Sequence, residues 1–388
     1  MVSKASSVSR HLMIVIHSLQ GGGAERVAAD LGAHWVSRGY RVTVVTQTGA
    51  EGDAYALHPD VRRVVLGTAG GSPGRIRGLL ANLRRVFRLR RLIRRERPDI
   101  VLGMMTTSSV LAVIAARRLP CRVIATEHTH PPSQSLPPMW LRLRCWAYPR
   151  AAAVVALTKG TAAWIERNVP GSRLSVIPNA VRWPLDPAEP MLAVPDRAGR
   201  HRLLAVGRLH PQKGFDLLIR AFASIAALFP DWDLVILGEG TQRDVLQSQV
   251  HASGLSDRVS LPGRAGNVGQ WYESSDLYVL SSRVEGLSNT LLESMASGLA
   301  AVAFDCETGP REVVRDGIDG VLVRPAEDWE ALAAHLSNLM AHPDLRAAYA
   351  RRATDVRDRF STARVMAMWH HVFEGDRDHR STVAGGGE

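Results

Sequence analysis

Residues 11–46 read HLMIVIHSLQGGGAERVAADLGAHWVSRGYRVTVVT. The apolar run Leu12–Ile16 predicts a strand, Gly21, Gly22 and Gly23 interrupt it, residues from about Glu25 to Ser37 predict a helix, and Arg41–Thr46 predicts a second strand. Both runs are continuous rather than alternating in hydrophobicity, so each strand is expected to be buried on both faces, as in a parallel sheet covered by helices. The same rhythm continues at Asp99–Leu102, Arg122–Thr126 and Ala152–Leu157. Between Trp183 and Arg200 the text turns to Pro184, Pro187, Pro190 and Pro195, the composition of a linker over 184–200. The rhythm then restarts with strands Leu203–Val206, Leu234–Leu237, Val259–Leu261, Leu277–Leu280, Ala301–Phe304 and Val321–Val323. Helices are expected from Phe215, over about Thr241–Ser253 and over about Asn289–Ser297. The expectation is α/β, two doubly wound parallel-sheet domains over 1–183 and 201–360. Such sheets bind ligands beyond the carboxyl ends of their strands, so two facing domains are expected to share a cleft.

The chain has 388 residues, 46% hydrophobic and 22% charged, with no repeat or low-complexity tract, which excludes collagen, disordered and solenoid architectures. Its apolar runs fall far short of the roughly 20 residues that cross a bilayer. The opening MVSKASSVSR, followed by only five apolar residues, does not read as a signal peptide. Cys121, Cys145 and Cys306 are scattered without CxxC spacing, so neither a disulfide framework nor a structural zinc site is expected, and a cytoplasmic location fits.

The net charge of +11 is unevenly placed: 27 basic against 11 acidic side chains through residue 190, and 21 against 26 after it. Much of the excess lies in RIRGLLANLRRVFRLRRLIRRER, residues 75–97, with ten arginines. Ile76, Leu79, Leu80, Leu83, Val86, Phe87 and Ile93 recur there at helical spacing, so one face is expected to be greasy and the other cationic. Such a helix suits an anionic membrane surface, with Arg84, Arg88, Arg91 and Arg95 meeting phosphate; the alternative is a surface helix whose stripe packs on the sheet, and both hold if only part of the stripe is buried. In MWLRLRCWAYPR, residues 139–150, Trp140, Trp146 and Tyr148 interleave with Arg142, Arg144 and Arg150, a mixture that suits headgroup depth. No helix-turn-helix, zinc-finger or RRM pattern supplies nucleic-acid readout.

Four segments carry candidate chemistry. HSLQGGGAER brings glycines between a strand end and a helix start, where amides face an anion, although a tight turn without a ligand has the same look. ATEHTHP places Glu127 and His128 just after a strand, where His128 either passes a proton or binds a hydroxyl or phosphate, or simply caps a loop. VGRLHPQKGFD sets Arg208 and Lys213 five residues apart ahead of a helix, a place for a diphosphate. SSRVEGLSNTLLESMASG carries Glu285 and Glu293, with Ser288 and Asn289 able to cap the helix between them. Free amides there suit phosphate and the carboxylates suit sugar hydroxyls.

Taken together, VGRLHPQKG, EGLSNTLLE with its two glutamates eight residues apart, and GGGAER resemble the retaining glycosyltransferases of GT-B fold, family 4 (glycosyltransferase group 1). GGGAERV, TEH and DCETGPREVV are similar to members that extend polysaccharide or lipid-linked oligosaccharides with N-acetylhexosamine units. The resemblance implies a UDP-sugar donor whose diphosphate is held by Arg208, Lys213 and the backbone of Gly286, Leu287, Ser288 and Asn289. Glu285 would touch the transferred sugar and Glu293 the ribose, with Gly263 and Arg264 along the base. Gly22, Gly23, Glu127 and His128 would lie on the acceptor and sugar side, Thr308, Gly309 and Glu312 along the sugar pocket. A helix over 361–374 would cross back to the first domain, leaving 375–388 as a tail. The resemblance further implies retention of configuration and a glycan acceptor on polyprenyl diphosphate at the inner face of the cytoplasmic membrane. Asp231-Trp232-Asp233 and Asp376-Arg377-Asp378 are poorly placed for a metal, so no cofactor is expected. The alternatives are a GT-B nucleotide-sugar epimerase, or a non-catalytic nucleotide-sugar or nucleic-acid binding protein.

Overall fold

Every apolar run named above is a strand, and all strands pair in parallel. The structure is a computed structural model describing residues 9–68 and 75–375. Its first sheet has seven strands: β1 His11–Ile16, β2 Arg41–Thr46, β3 Arg62–Val65, β4 Ile100–Gly103, β5 Arg122–Glu127, β6 Ala153–Ala156 and β7 Leu174–Val176. Their order is β3-β2-β1-β4-β5-β6-β7. Leu12 pairs with Val42 on one side and Ile100 on the other, which places β1 in the interior of the sheet with all six residues buried. The edges β3 (RRVV) and β7 (LSV) are partly exposed and carry no continuous apolar run, so the hydrophobic pattern did not announce them.

The second sheet has six strands, β8 His201–Val206, β9 Trp232–Leu237, β10 Val259–Gly263, β11 Leu277–Leu280, β12 Ala301–Phe304 and β13 Gly320–Val323, in the order β10-β9-β8-β11-β12-β13. Strand order reverses between β1 and β4 in one sheet and between β8 and β11 in the other, the two places where doubly wound sheets open a crevice beyond their strand ends. The helix Phe215–Ile225 covers the second sheet with Phe215, Leu218, Ile219 and Phe222, all buried with Trp232 in one apolar cluster.

The chain divides into two compact units, one of residues 1–177 and 368–388, the other of 178–367. Residues 184–200, expected as a linker, are held on the second unit: Ala188 donates to the Gly266 carbonyl, Gly266 to the Pro190 carbonyl, and Leu192 to the Asn267 side chain. The polar backbone of a Pro-rich segment needs partners like any other, and the loop after β10 supplies them. The last helix, Thr362–Glu374, belongs to the first unit from Met368 onward. There Phe373 lies 4.9 Å from the Trp35 ring, Arg122 donates to the Val372 and Phe373 carbonyls, and Arg10 pairs with Glu374. Asp376 and Asp378 lie outside the described residues.

The arginine-rich helix spans Arg75–Glu96, and only part of its apolar stripe is buried. Leu89, Leu92 and Ile93 are buried, whereas Leu80, Leu83 and Phe87 are 60%, 56% and 67% exposed. Leu80, Arg84, Phe87, Arg91 and Arg94 fall at alternating spacings of four and three, so apolar and cationic groups share one outward face. The side chains of Ile76 and Leu79 are outside the described set. Arg84, Arg91 and Arg95 are exposed, Arg95 pairing with the adjacent Glu96, whereas Arg88 donates to the Leu66 carbonyl and is committed to the fold. The helix Pro138–Ala147 also departs from its reading: Arg144 is buried with its guanidinium 4.9 Å over the Trp164 ring, and Tyr148 is fully buried. Neither reaches a headgroup.

Candidate active site

In the second unit, Arg208 follows β8 and Glu285 follows β11, on either side of the strand-order reversal. The short 3-10 turn Pro211–Lys213 joins them, because Gly214 adopts φ 62° and a Cβ there would sit 2.0 Å from the Ser281 carbonyl oxygen. Only glycine lets the turn approach β11 that closely. Ser281 donates to the Lys213 carbonyl (2.9 Å), and Lys213 Nζ reaches Glu285 Oε1 at 2.5 Å. Ser282 Oγ donates to the same carboxylate oxygen at 2.7 Å. The Lys213 stem lies against Gly207, next to Arg208. Arg208 itself is exposed and has no hydrogen-bond or ion-pair partner among the described residues, so its charge is available to an anion.

The helix Asn289–Ala296 starts four residues after Glu285, with Ser288 as its cap. Glu293 lies one turn inside it, buried, accepting from the Tyr272 hydroxyl at 3.4 Å. Gly286 is half-exposed, and Leu287 and Ser288 are buried. Thr308 donates to the Glu285 carbonyl (3.0 Å), and Gly309, at φ 102°, has no room for a side chain: a Cβ would meet the Gly286 carbonyl oxygen at 2.4 Å. The 305–309 loop is thereby laid along the 285–289 loop, with Glu312 three residues beyond Gly309. Burial and the nearby Glu285 charge push the Cys306 thiol up to about 12, so it stays protonated. Gly263 ends β10, followed by exposed Arg264.

Sequence reasoning passed over two residues here. Asn179 is 4% exposed, donates its amide to Asn289 Oδ1 at 2.9 Å, and leaves its own Oδ1 without a partner. Ser282 fixes the Glu285 carboxylate. The signal for Asn179 was a polar residue closing the apolar run Val176–Ile177, and for Ser282 a hydroxyl directly beyond β11.

In the first unit, Gly22 and Gly23 lie in the turn from β1 into the helix Gly23–Ser37, whose first amides no side chain caps. His128 follows β5 and is 8% exposed; neither ring nitrogen has a partner, and burial lowers its pKa to about 4. The ring is therefore neutral at neutral pH, with a donor and an acceptor both unused. Glu127 departs from its expected role on the sugar side. It is 1% exposed and accepts from Thr106 (2.9 Å), Gln134 (3.0 Å) and Tyr148, with Arg144 at 3.7 Å. Burial raises its carboxyl, while Tyr148, Gln134, Arg144 and Thr106 act against that rise. A strand-end side chain that turns inward finds this many donors only where helices close over it.

Asp231 and Asp233 flank Trp232 at the amino end of β9, and Asp233 pairs with Arg200 and Arg258. Among the described residues no three His, Cys, Asp or Glu side chains are grouped to hold a metal ion.

The model of the group 1 glycosyl transferases matches residues 194–356, and that of glycosyltransferase family 4 matches residues 21–182. The chain is 33% identical over 277 residues to an exopolysaccharide phosphotransferase of Streptomyces coelicolor, across 70% of this chain and 28% of that longer protein. It is 24% identical over 359 residues to the Campylobacter jejuni "GalNAc-alpha-(1->4)-GalNAc-alpha-(1->3)-diNAcBac-PP-undecaprenol alpha-1,4-N-acetyl-D-galactosaminyltransferase", across 92% of this chain and 96% of that one. Among solved structures, Anabaena HepE in complex with UDP superposes with a TM-score of 0.76 at 20% identity, over 93% of this chain and 98% of that one.

Proposed function

The chain belongs to the family 4 glycosyltransferases of GT-B architecture, and from that premise we propose that it moves a hexose or N-acetylhexosamine from a UDP-sugar to a polyprenyl-diphosphate-linked glycan, with retention and without a metal. The observation that carries the reading is the convergence of unpaired Arg208, the Lys213–Glu285 pair and the start of the helix Asn289–Ala296 at one strand-order reversal. Breaking the bond from the anomeric carbon to phosphate leaves charge on the departing diphosphate. Arg208, Lys213 and the amides of 286–289 meet that charge, each such donor being worth about 3 kcal/mol of barrier. Glu285, held by Lys213 and Ser282, presents its second oxygen to a sugar hydroxyl.

Retention follows from attack on the face the diphosphate leaves. Glu285 is engaged by Lys213 and Ser282, and Glu293 is buried one turn inside a helix, so neither is set to attack the anomeric carbon. The Asp231 and Asp233 carboxylates sit at the amino end of β9, away from the strand ends that bear Arg208 and Glu285, and cations do the work that a metal does elsewhere. The neutral His128 ring hydrogen-bonds a hydroxyl without adding charge to the sugar.

The lipid-linked acceptor is supported by the outward face of the helix Arg75–Glu96, where Leu80, Leu83 and Phe87 stand beside Arg84 and Arg91. Apolar side chains enter the interface while guanidinium groups meet lipid phosphate. No helix among the described residues is long and apolar enough to cross a membrane. Incubation with a panel of UDP-sugars and polyprenyl-linked acceptors, read by UDP release and by mass spectrometry of the acceptor, tests the transfer. Release of UDP with a mass gain of one sugar is expected. No release, or release equal to that of Arg208→Ala, overturns the proposal.

A further inference from the structure

We infer that Glu127 is a positioning residue that fixes the His128 ring through Gln134 and Thr129. Neither ring nitrogen of His128 has a hydrogen-bond partner among the described residues, so nothing polar at the ring sets its direction. What is fixed is the backbone from which the ring projects, since both neighbours of His128 are tied to one carboxylate. Glu127 comes directly before it, at the end of β5. Thr129 comes directly after, and its carbonyl accepts from Gln134 Nε2 at 3.0 Å; the same nitrogen donates to Glu127 Oε2 at 3.0 Å. The Thr106 hydroxyl, which gives its one proton to the Glu127 carboxylate 2.9 Å away, also lies 2.8 Å from Gln134 Oε1. The loop 128–134 is also held by the 3-10 turn Pro131–Ser133, by Ser133 Oγ donating to the His130 carbonyl at 2.7 Å, and by His130 Nδ1 at 3.3 Å from Thr161 Oγ1, but these ties lie beyond Thr129.

A carboxylate is the group that suits this place. It has acceptor sites for Thr106, Tyr148 and Gln134 at once and no donor to oppose them. An amide of the same shape turns an N–H toward one of those donors and breaks the set. The Arg144 guanidinium at 3.7 Å, in contact with the Trp164 face, supplies the neighbouring positive charge. The buried Glu127 is thus spent on geometry, and the ring it aims is left free.

The effect on turnover rests on the transferase reading above; the effect on the ring does not. The test compares Glu127→Gln, Gln134→Leu and the double variant with the wild type, using UDP-sugar turnover, UDP binding and the NMR signals of the His128 ring in uniformly labelled protein. Gln134→Leu keeps the buried carboxylate and Arg144 in place, so it reads the tie to Thr129 without exposing an unpaired charge. The expected result is a kcat roughly tenfold lower in each single variant, with KM for the donor and UDP affinity changed less than about twofold, since those groups lie in the second unit. The double variant is expected to be no worse than the more damaging single one, because both act through the same tie. The His128 signals are expected to shift or split in both single variants. Wild-type kcat together with unmoved His128 signals in Gln134→Leu overturns the inference, as does a kcat loss that only tracks a lower melting temperature. A wild-type protein that transfers nothing overturns the transferase reading alone, and the ring signals then decide this one.

Discussion

In the second unit the candidate side chains carry ionisable groups that are either exposed, as Arg208 is, or hydrogen-bonded, as buried Glu285 and Glu293 are. Lys213 answers Glu285 at 2.5 Å, Ser282 holds the same carboxylate, and Arg208 stands exposed without a partner. In the first unit the candidate group, His128, is neutral, buried and unpaired, and the carboxylate beside it faces inward. A diphosphate must be met by charge, and exposed or paired charges can be kept ready without desolvating an isolated ion. A sugar hydroxyl must be met by direction. A neutral ring held by its backbone supplies direction at the cost of two buried nitrogens left without hydrogen bonds.

The largest expected effect tests the charged side. Arg208→Ala is expected to lower kcat by about a hundredfold to a thousandfold, roughly 3 to 4 kcal/mol. Its melting temperature should stay at the wild-type value, since Arg208 holds nothing in the fold. A matching loss of stability breaks the contrast, because it makes Arg208 a structural residue.

The next effect tests the neutral side. The folded His128 pKa of about 4 lies below its ordinary value near 6.5, so between these values the unfolded chain binds a proton that the folded one refuses. Its contribution is therefore full above the ordinary value and is lost as pH falls from about 6.5 to about 4, by about 3 kcal/mol in all. Denaturant unfolding at pH about 7 and about 5 should show about 2 kcal/mol of this loss in the wild type and less in His128→Asn. Equal slopes in the two proteins would show that His128 is not held neutral.

Gly309→Ala sharpens the comparison more modestly. A methyl group at φ 102° and 2.4 Å from the Gly286 carbonyl oxygen should cost about 2 kcal/mol of stability and raise KM for the donor, because the 285–289 loop must shift. An unchanged KM would separate that loop from the donor. The smallest effect concerns the arginine-rich helix: Arg84→Gln and Arg91→Gln should each weaken flotation with anionic vesicles by about 1 kcal/mol, roughly fivefold, and leave neutral vesicles unaffected. Arg88→Gln should instead lower stability, because Arg88 caps the Leu66 carbonyl.

The fold was legible because hydrophobic runs are local. β2, β11 and β12 begin and end where their apolar runs do, and only the partly exposed edges β3 and β7 lacked such a run. The donor-side groups were legible for the same reason, since Arg208, Lys213, Glu285 and Glu293 occupy short motifs at strand ends and at a helix start. Asn179 was not, because its meaning lies in a hydrogen bond to Asn289, 110 positions away.

From the sequence by itself came the two doubly wound sheets, the strand-end motifs and the uneven charge, all of them properties of neighbouring residues. Only the tertiary structure decided that Glu127 turns inward, that Arg88 is spent on the fold while Arg84 and Arg91 stand exposed, and that residues 184–200 bind the second unit. The reason is that a side chain's charge and polarity are written in its type, whereas its partners are chosen by whichever distant groups the packed chain brings within hydrogen-bonding reach.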